Sequence, residues 1–134
     1  MDAGTQRRVR RRAGNRCEYC RLPQESAPVI RFQVEHVRAK QHGGSDSLRN
    51  LALACPRCNR QKGPNLTAID PRTKRIVPLF NPRIQDWGEH FTFAGVVIVG
   101  LTPAGRATVR LLKMNAEERI KVRAALREHG EKWM

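Results

Sequence analysis

The sequence contains no run of about 18 apolar residues, the length a membrane-spanning helix needs. Its longest apolar stretch, Ala94 to Leu101, is short and broken by Gly95 and Gly100. The basic N-terminal segment GTQRRVRRRAGNR lacks both the apolar core of a secretory signal and the apolar face of a membrane-surface helix. A cytoplasmic protein without a membrane partner is therefore expected. Internal repeats and low-complexity linkers are also missing, so 134 residues read as one domain, or one domain with an extension.

Acidic residues are few. There are 12 Asp and Glu against 26 Lys and Arg, for a net charge of +14. Residues 1 to 64 carry 14 of the basic residues and 5 of the acidic ones, so the N-terminal half is the more basic. Such an excess concentrates polyanions and speeds their encounter, and nucleic acid is the polyanion it suits best. A merely soluble basic surface would have the same composition, and the motifs must separate the two.

Only four cysteines are present, and their placement is informative. Cys17-Glu-Tyr-Cys20 and Cys55-Pro-Arg-Cys58 are two CxxC pairs separated by 34 residues. Each pair can present two thiolates to one tetrahedral ion, so the spacing predicts a structural Zn²⁺ site in a reducing compartment. A thioredoxin-type redox motif would need only one such pair.

Along the chain, residues 6 to 16 read as a basic helix or arm. The segment VIRFQVEHV alternates, with Ile30, Phe32 and Val34 on one face, and predicts a strand ending near His36. RAKQHGGSDSLRN reads as a loop, Leu51 to Ala54 as a short buried strand, and CPRCNRQKGP as a helix with Pro56 in its first turn and Gly63-Pro64 ending it. Further on, Ile76 to Phe80 and Val96 to Leu101 suggest short strands. Thr102-Pro103 caps a helix whose Ala104, Ala107, Thr108 and Leu111 share a face. Asn115 with Glu118 suggests a capping box for a last helix, with Val122, Ala125, Leu126 and His129 on one face and Gly130 as its stop. The expected organisation is a basic segment over 1–16, a core over 17–64 and an α+β extension over 65–134 packed on that core.

Between the cysteine pairs lie Glu35-His36, then Asn50 fourteen residues later and Asn59 nine residues beyond, directly after Cys58. A zinc staple can bring these positions to one cleft. Taken singly, His36 reads as a structural strand-end residue, Asn50 as a turn residue and Asn59 as a helix-start residue. The set CEYC, EHVRAKQHGGSDSLRNL and CPRCNRQKG resembles the HNH endonuclease family in its zinc-containing subset. The resemblance covers residues 17 to 63. It implies an α+β, treble-clef-like ββα-metal (His-Me finger) fold that cleaves DNA, single or double stranded breaks being equally open. It also implies His36 as general base, Asn50 holding the loop that orients it, and Glu35 and Asn59 as ligands of a catalytic Mg²⁺ or Mn²⁺. Asn59 stands where the family name has its final His.

The chemistry fits those residue types. Hydrolysis of a phosphodiester needs a deprotonated water, which an imidazole can generate, and stabilisation of charge on the phosphate. A hard cation held by one carboxylate and one amide oxygen keeps open positions for phosphate and water. Lys40, Arg57, Arg60 and Lys62 surround the motif and suit phosphate contacts in double-stranded DNA. The plainer alternative is a non-catalytic zinc-ribbon module that binds nucleic acid. His42 is expected in a solvated loop, His90 packed and His129 at a helix end. Trp87, Phe91 and Phe93 are expected in the core. Arg83 and Arg106 suit DNA or ion pairs with Asp86 and Glu89. The strings LFNPRIQDWGEHF (79–91) and GLTPAGRATVRLLKMN (100–115) resemble an extension of small bacterial HNH proteins, which implies no chemistry.

Overall fold

The structure, a computed structural model, describes residues 1–130; the last four residues of the expected 65–134 extension lie outside the described residues. The basic N-terminal segment is a helix, α1 (Ala3–Arg12), capped by Asp2, whose carboxylate accepts from Thr5 N. Val9 is fully buried. Arg10 and Arg12 donate to the carbonyls of Phe32, Leu48 and Leu51, so α1 is docked on the strands that follow.

The centre is an antiparallel hairpin of β1 (Gln33–His36) and β2 (Leu51–Ala54), registered with Gln33 opposite Ala54 and His36 opposite Leu51. All four residues of β2 are buried. The strand expected from Val29 is shorter than its alternation suggests. Val29 and Ile30 are exposed, and regular pairing begins only at Gln33 because β2 supplies four partners and then enters the second knuckle. The helix α2 (Pro56–Lys62) starts there, with Cys55 as N-cap and Pro56 in its first turn.

Beyond α2 come two further hairpins, β3 (Thr67–Ile69) with β4 (Ile76–Pro78) and β5 (Phe91–Ala94) with β6 (Val97–Gly100), the second preceded by the one-turn helix α3 (Trp87–His90). Strands β3 and β5 have no counterpart in the expected order. β3 is three residues long and largely exposed, whereas β5 buries Phe91 in the core. The helix α4 (Pro103–Leu111) is capped by Thr102 as expected and buries Ala107 and Thr108. Gly100 and Gly105 lie where a Cβ would strike backbone at 2.4 and 2.1 Å, so only glycine lets α4 close on β6 and α3.

The helix α5 (Glu117–Glu128) departs from expectation twice. Its N-cap is Ala116, without a side-chain cap; Asn115 instead exchanges two hydrogen bonds with the Ile98 backbone, and Glu118 pairs with Arg57. Its buried residues are Arg119 and Arg123, while Val122 is exposed. The apolar stripe is too thin to compete with polar partners waiting beneath α5. Gly130 does end the helix, at φ 72°.

One core unites these parts. Val9, the four cysteines, Tyr19, Phe32 and β2 cluster with Phe80, Phe91, Ile98, Leu112 and Met114. Each large apolar side chain buried there contributes about 1.5–3 kcal/mol. Trp87 reaches back across the core, its Nε1 donating to Tyr19 O at 2.7 Å. His90 is held by Thr102 Oγ1 at 2.6 Å beside Phe80, and His42 is exposed. Arg83 and Arg106 find carboxylates, but distant ones: Glu18 for Arg83 and Asp70 for Arg106. Asp86 and Glu89 are not their partners. Among the described residues no helix is long and apolar enough to cross a membrane.

Candidate metal centre and catalytic cleft

Both CxxC pairs converge as the spacing predicts. The Sγ atoms of Cys17, Cys20, Cys55 and Cys58 all lie within 4.8 Å of one another, and all four residues are buried. A tetrahedral ion with Zn–S bonds of about 2.3 Å requires sulfurs about 3.8 Å apart. Cys20 and Cys55 stand at 3.7 Å. The backbone N–H of Cys20 points at Cys17 Sγ, and that of Cys58 at Cys55 Sγ, as turns that favour thiolates. Burial pushes the Cys17 and Cys58 thiols up, while hydrogen bonds from neighbouring thiols hold Cys20 down. A bound cation would release the remaining protons. The donor set therefore fits structural zinc.

Beneath this centre lies a group that the sequence did not reveal. The Arg119 guanidinium, from α5, donates to Cys58 Sγ at 3.0 Å, to Cys55 Sγ at 3.6 Å and to Leu112 O at 2.8 Å. Burial opposes its charge, yet the surrounding thiolates hold the guanidinium firmly protonated.

The second cleft opens at the end of β1, where Val34, His36, Lys40, Asn59, Arg60 and Pro64 line a depression. Pairing with β2 fixes His36 in place, and its side chain is one-fifth exposed. Its Nε2 stands 2.7 Å from Asp46 Oδ1. Asp46 carries little sequence signal of its own, being one carboxylate in a Gly-rich loop. The hydrogen bond to His36, seconded by Lys40 at 3.4 Å, holds the Asp46 carboxyl below the ordinary range.

Asn50 sews that loop together. Its amide donates to Arg38 O and Ser45 O, and its Oδ1 accepts from Arg38 N at 2.8 Å. Gly44 runs so close to Arg38 O that a Cβ would fall 1.7 Å from it. The loop thus has one path, and that path delivers Asp46 to His36.

Asn59 reaches the same depression from α2, donating through Nδ2 to Gln33 Oε1, which leaves its own Oδ1 unspent. Glu35 points the other way along the strand alternation. Only 6% exposed, it is held by the Tyr19 hydroxyl and by Lys62 Nζ at 3.1 Å. Burial raises its carboxyl above the ordinary value in spite of both partners.

Of the four basic residues expected at phosphates, Arg60 is exposed at the cleft and Lys40 lies beside Asp46. Arg57 is paired with Glu118. Lys62 corrects its expectation: it is 2% exposed, with Nζ donating to Glu35, His36 O and Val37 O. An ammonium has three protons, and all three are used inside the protein. Cys58 and Lys62 stand one helical turn apart, a spacing that puts Lys62 on the buried face.

A strand pair, an ordered loop and a helix stapled by four cysteines define a mixed α+β protein built around a four-cysteine cluster suited to a metal ion. Residues 17–65 match the HNH endonuclease family, and the chain carries a domain of that family over this segment. The chain is also similar to Septu protein PtuB of Bacillus thuringiensis, 30% identical over 112 residues, which cover 81% of this chain and 40% of that protein. It thus spans about two fifths of its relative's length. No solved structure matches the chain.

Proposed function

We propose that this protein is a metal-dependent endonuclease that hydrolyses phosphodiester bonds of double-stranded DNA, with His36 as general base. The observation that carries the reading is the His36–Asp46 contact in an open, basic cleft next to Asn59. Asp46 accepts the Nε2 proton, which leaves the imidazole lone pair on Nδ1 for an attacking water. Asn50 and Gly44 position Asp46 and so act through the loop. His36 takes the water's proton as the new P–O bond forms, and the ester oxygen leaves on the opposite side of phosphorus. Arg60 and Lys40 offer positive charge to the phosphate oxygens.

A hard divalent ion, Mg²⁺ or Mn²⁺, would be held here by the unspent Oδ1 of Asn59, and by the Glu35 carboxylate once it exchanges Tyr19 or Lys62 for the ion. Glu35 borders the depression, with its carboxylate turned inward onto Tyr19 and Lys62. When bound, such an ion would stabilise charge on the phosphate.

A second reading, the non-catalytic zinc-ribbon module, is favoured by the same residue: both Glu35 oxygens already have partners. Supercoiled plasmid with Mg²⁺ or Mn²⁺ separates the two. The nuclease reading expects cleavage by the native protein, a loss of about 10²–10⁴-fold in His36→Ala, and an intermediate loss in Asp46→Ala. No cleavage by the native protein with either ion supports the module, and equal cleavage by His36→Ala removes His36 as base.

A further inference from the structure

Outside the matched segment, α1 displays arginines that no carboxylate among the described residues pairs with. Arg7, Arg8 and Arg11 are exposed, as is Arg31 in the stretch before β1. Among the described residues none of the four has an ion pair with a carboxylate. Basic residues in the last turn of a helix are favoured by its dipole, but Arg7 and Arg8 sit mid-helix, where that benefit is absent. Arg7 and Arg11, four residues apart, repel each other.

The geometry gives this charge a place to act. Gln6 and Arg10 of α1 face Arg31, Gln33 and Val34 across a shallow depression. Val34 also lines the cleft of His36 and Asn59, and the Gln33 side chain is the one that Asn59 holds. The two depressions are therefore neighbours along one strand. Arg31 and His36 are five positions apart, no more than about 18 Å of extended chain and so about five base-pair steps of duplex. Arg10 cannot move away, because its guanidinium is fixed on Phe32 O at 2.6 Å. Burial, and then the charge of Arg31, disfavour the Arg10 cation. An anion between the two would relieve that repulsion.

We propose that α1 and the stretch entering β1 form a subsite for the phosphate backbone of duplex DNA, with Arg7, Arg10 and Arg31 holding phosphates to one side of the His36 cleft. Its position relative to a cut bond rests on the nuclease reading; its binding of DNA does not. The ligand is a run of backbone phosphates, read without base contacts.

The test measures binding of a fluorescently labelled DNA duplex by anisotropy across a salt series, in the zinc-loaded 134-residue chain carrying His36→Ala so that no cleavage interferes. Arg7→Gln with Arg31→Gln is compared with Arg110→Gln with Arg127→Gln, which removes equal charge from exposed positions elsewhere. The slope of log K against log salt should fall by about 1.8 for the first pair, from about 0.9 per lost phosphate contact, and stay unchanged for the second. Circular dichroism of both variants should match that of the parent. An unchanged slope in the first pair, or an equal fall in both, overturns the subsite. A slope change confined to single-stranded DNA overturns its assignment to duplex. If the slope falls while native protein never cuts plasmid, the subsite stands and the nuclease reading fails. If the slope holds while native protein cuts plasmid, the nuclease reading stands and the subsite fails.

Discussion

Arg119 donates to Cys58 Sγ at 3.0 Å, so the last described helix closes the four-cysteine cluster from a distance of 61 residues. Four thiolates around Zn²⁺ leave two net negative charges in a buried place, and a fixed guanidinium offsets part of that. Arg119→Met should lower zinc affinity about 10–100-fold, read by competition with a chromophoric chelator. Arg119→Lys should recover only part, because an ammonium cannot span Cys58, Cys55 and Leu112 O together. Unchanged affinity in the Met variant would reduce Arg119 to a packing residue.

Asp70 ties β3 to α4. It is buried and accepts from Arg106 Nε and Nη2, both at 2.9 Å, from Thr73 Oγ1 and from Arg72 N. Those donors, Arg106 foremost, hold its carboxyl well below the ordinary range. A depressed folded-state value means the stabilisation is full above the unfolded value of about 3.9 and is lost as pH falls through the folded one. Asp70→Asn should therefore melt below the native protein at neutral pH, with the gap closing as the buffer is taken below pH of about 4. Thermal melts over a pH series read this directly. A gap that is constant with pH would dissociate it from the ionised carboxylate.

What was legible in the sequence follows contact range. The cysteine cluster was readable because a CxxC encodes a turn within itself, and only two such turns had to meet. His36, Asn50 and Asn59 were readable through their joint spacing, which the structure brings to one loop and one cleft. Partner choice was not. Glu18 and Arg83 are 65 residues apart, Asp70 and Arg106 are 36 apart, and nothing local to either pair names the other. Arg119 and Arg123 were hidden for a related reason: a buried arginine one turn from another looks like a solvated face until the thiolates and carbonyls beneath are known. Strands β3 and β5 escaped because they lack the continuous apolar runs that mark their partners β4 and β6, Thr67 and Thr92 interrupting them.

Lys62 sets the sharpest contrast between a surface role and a structural one. Its Nζ satisfies Glu35 and the carbonyls of His36 and Val37, the three groups that turn β1 into the loop that follows it. Removing it leaves a buried carboxylate supported by Tyr19 alone and two carbonyls without a donor. Breaking a buried pair from one side costs about 3–5 kcal/mol, so Lys62→Met should lower the melting temperature by roughly 10–15 °C in a domain of this size. Adding Glu35→Gln to Lys62→Met should return part of that loss, since the uncompensated charge is gone and the amide still bonds Tyr19. Differential scanning calorimetry of both single variants and the double variant measures the coupling. Strictly additive losses would mean that Lys62 and Glu35 act independently. A Lys62→Met variant that melts like the native protein yet binds DNA less tightly would return Lys62 to the surface role its position beside the cleft first suggested.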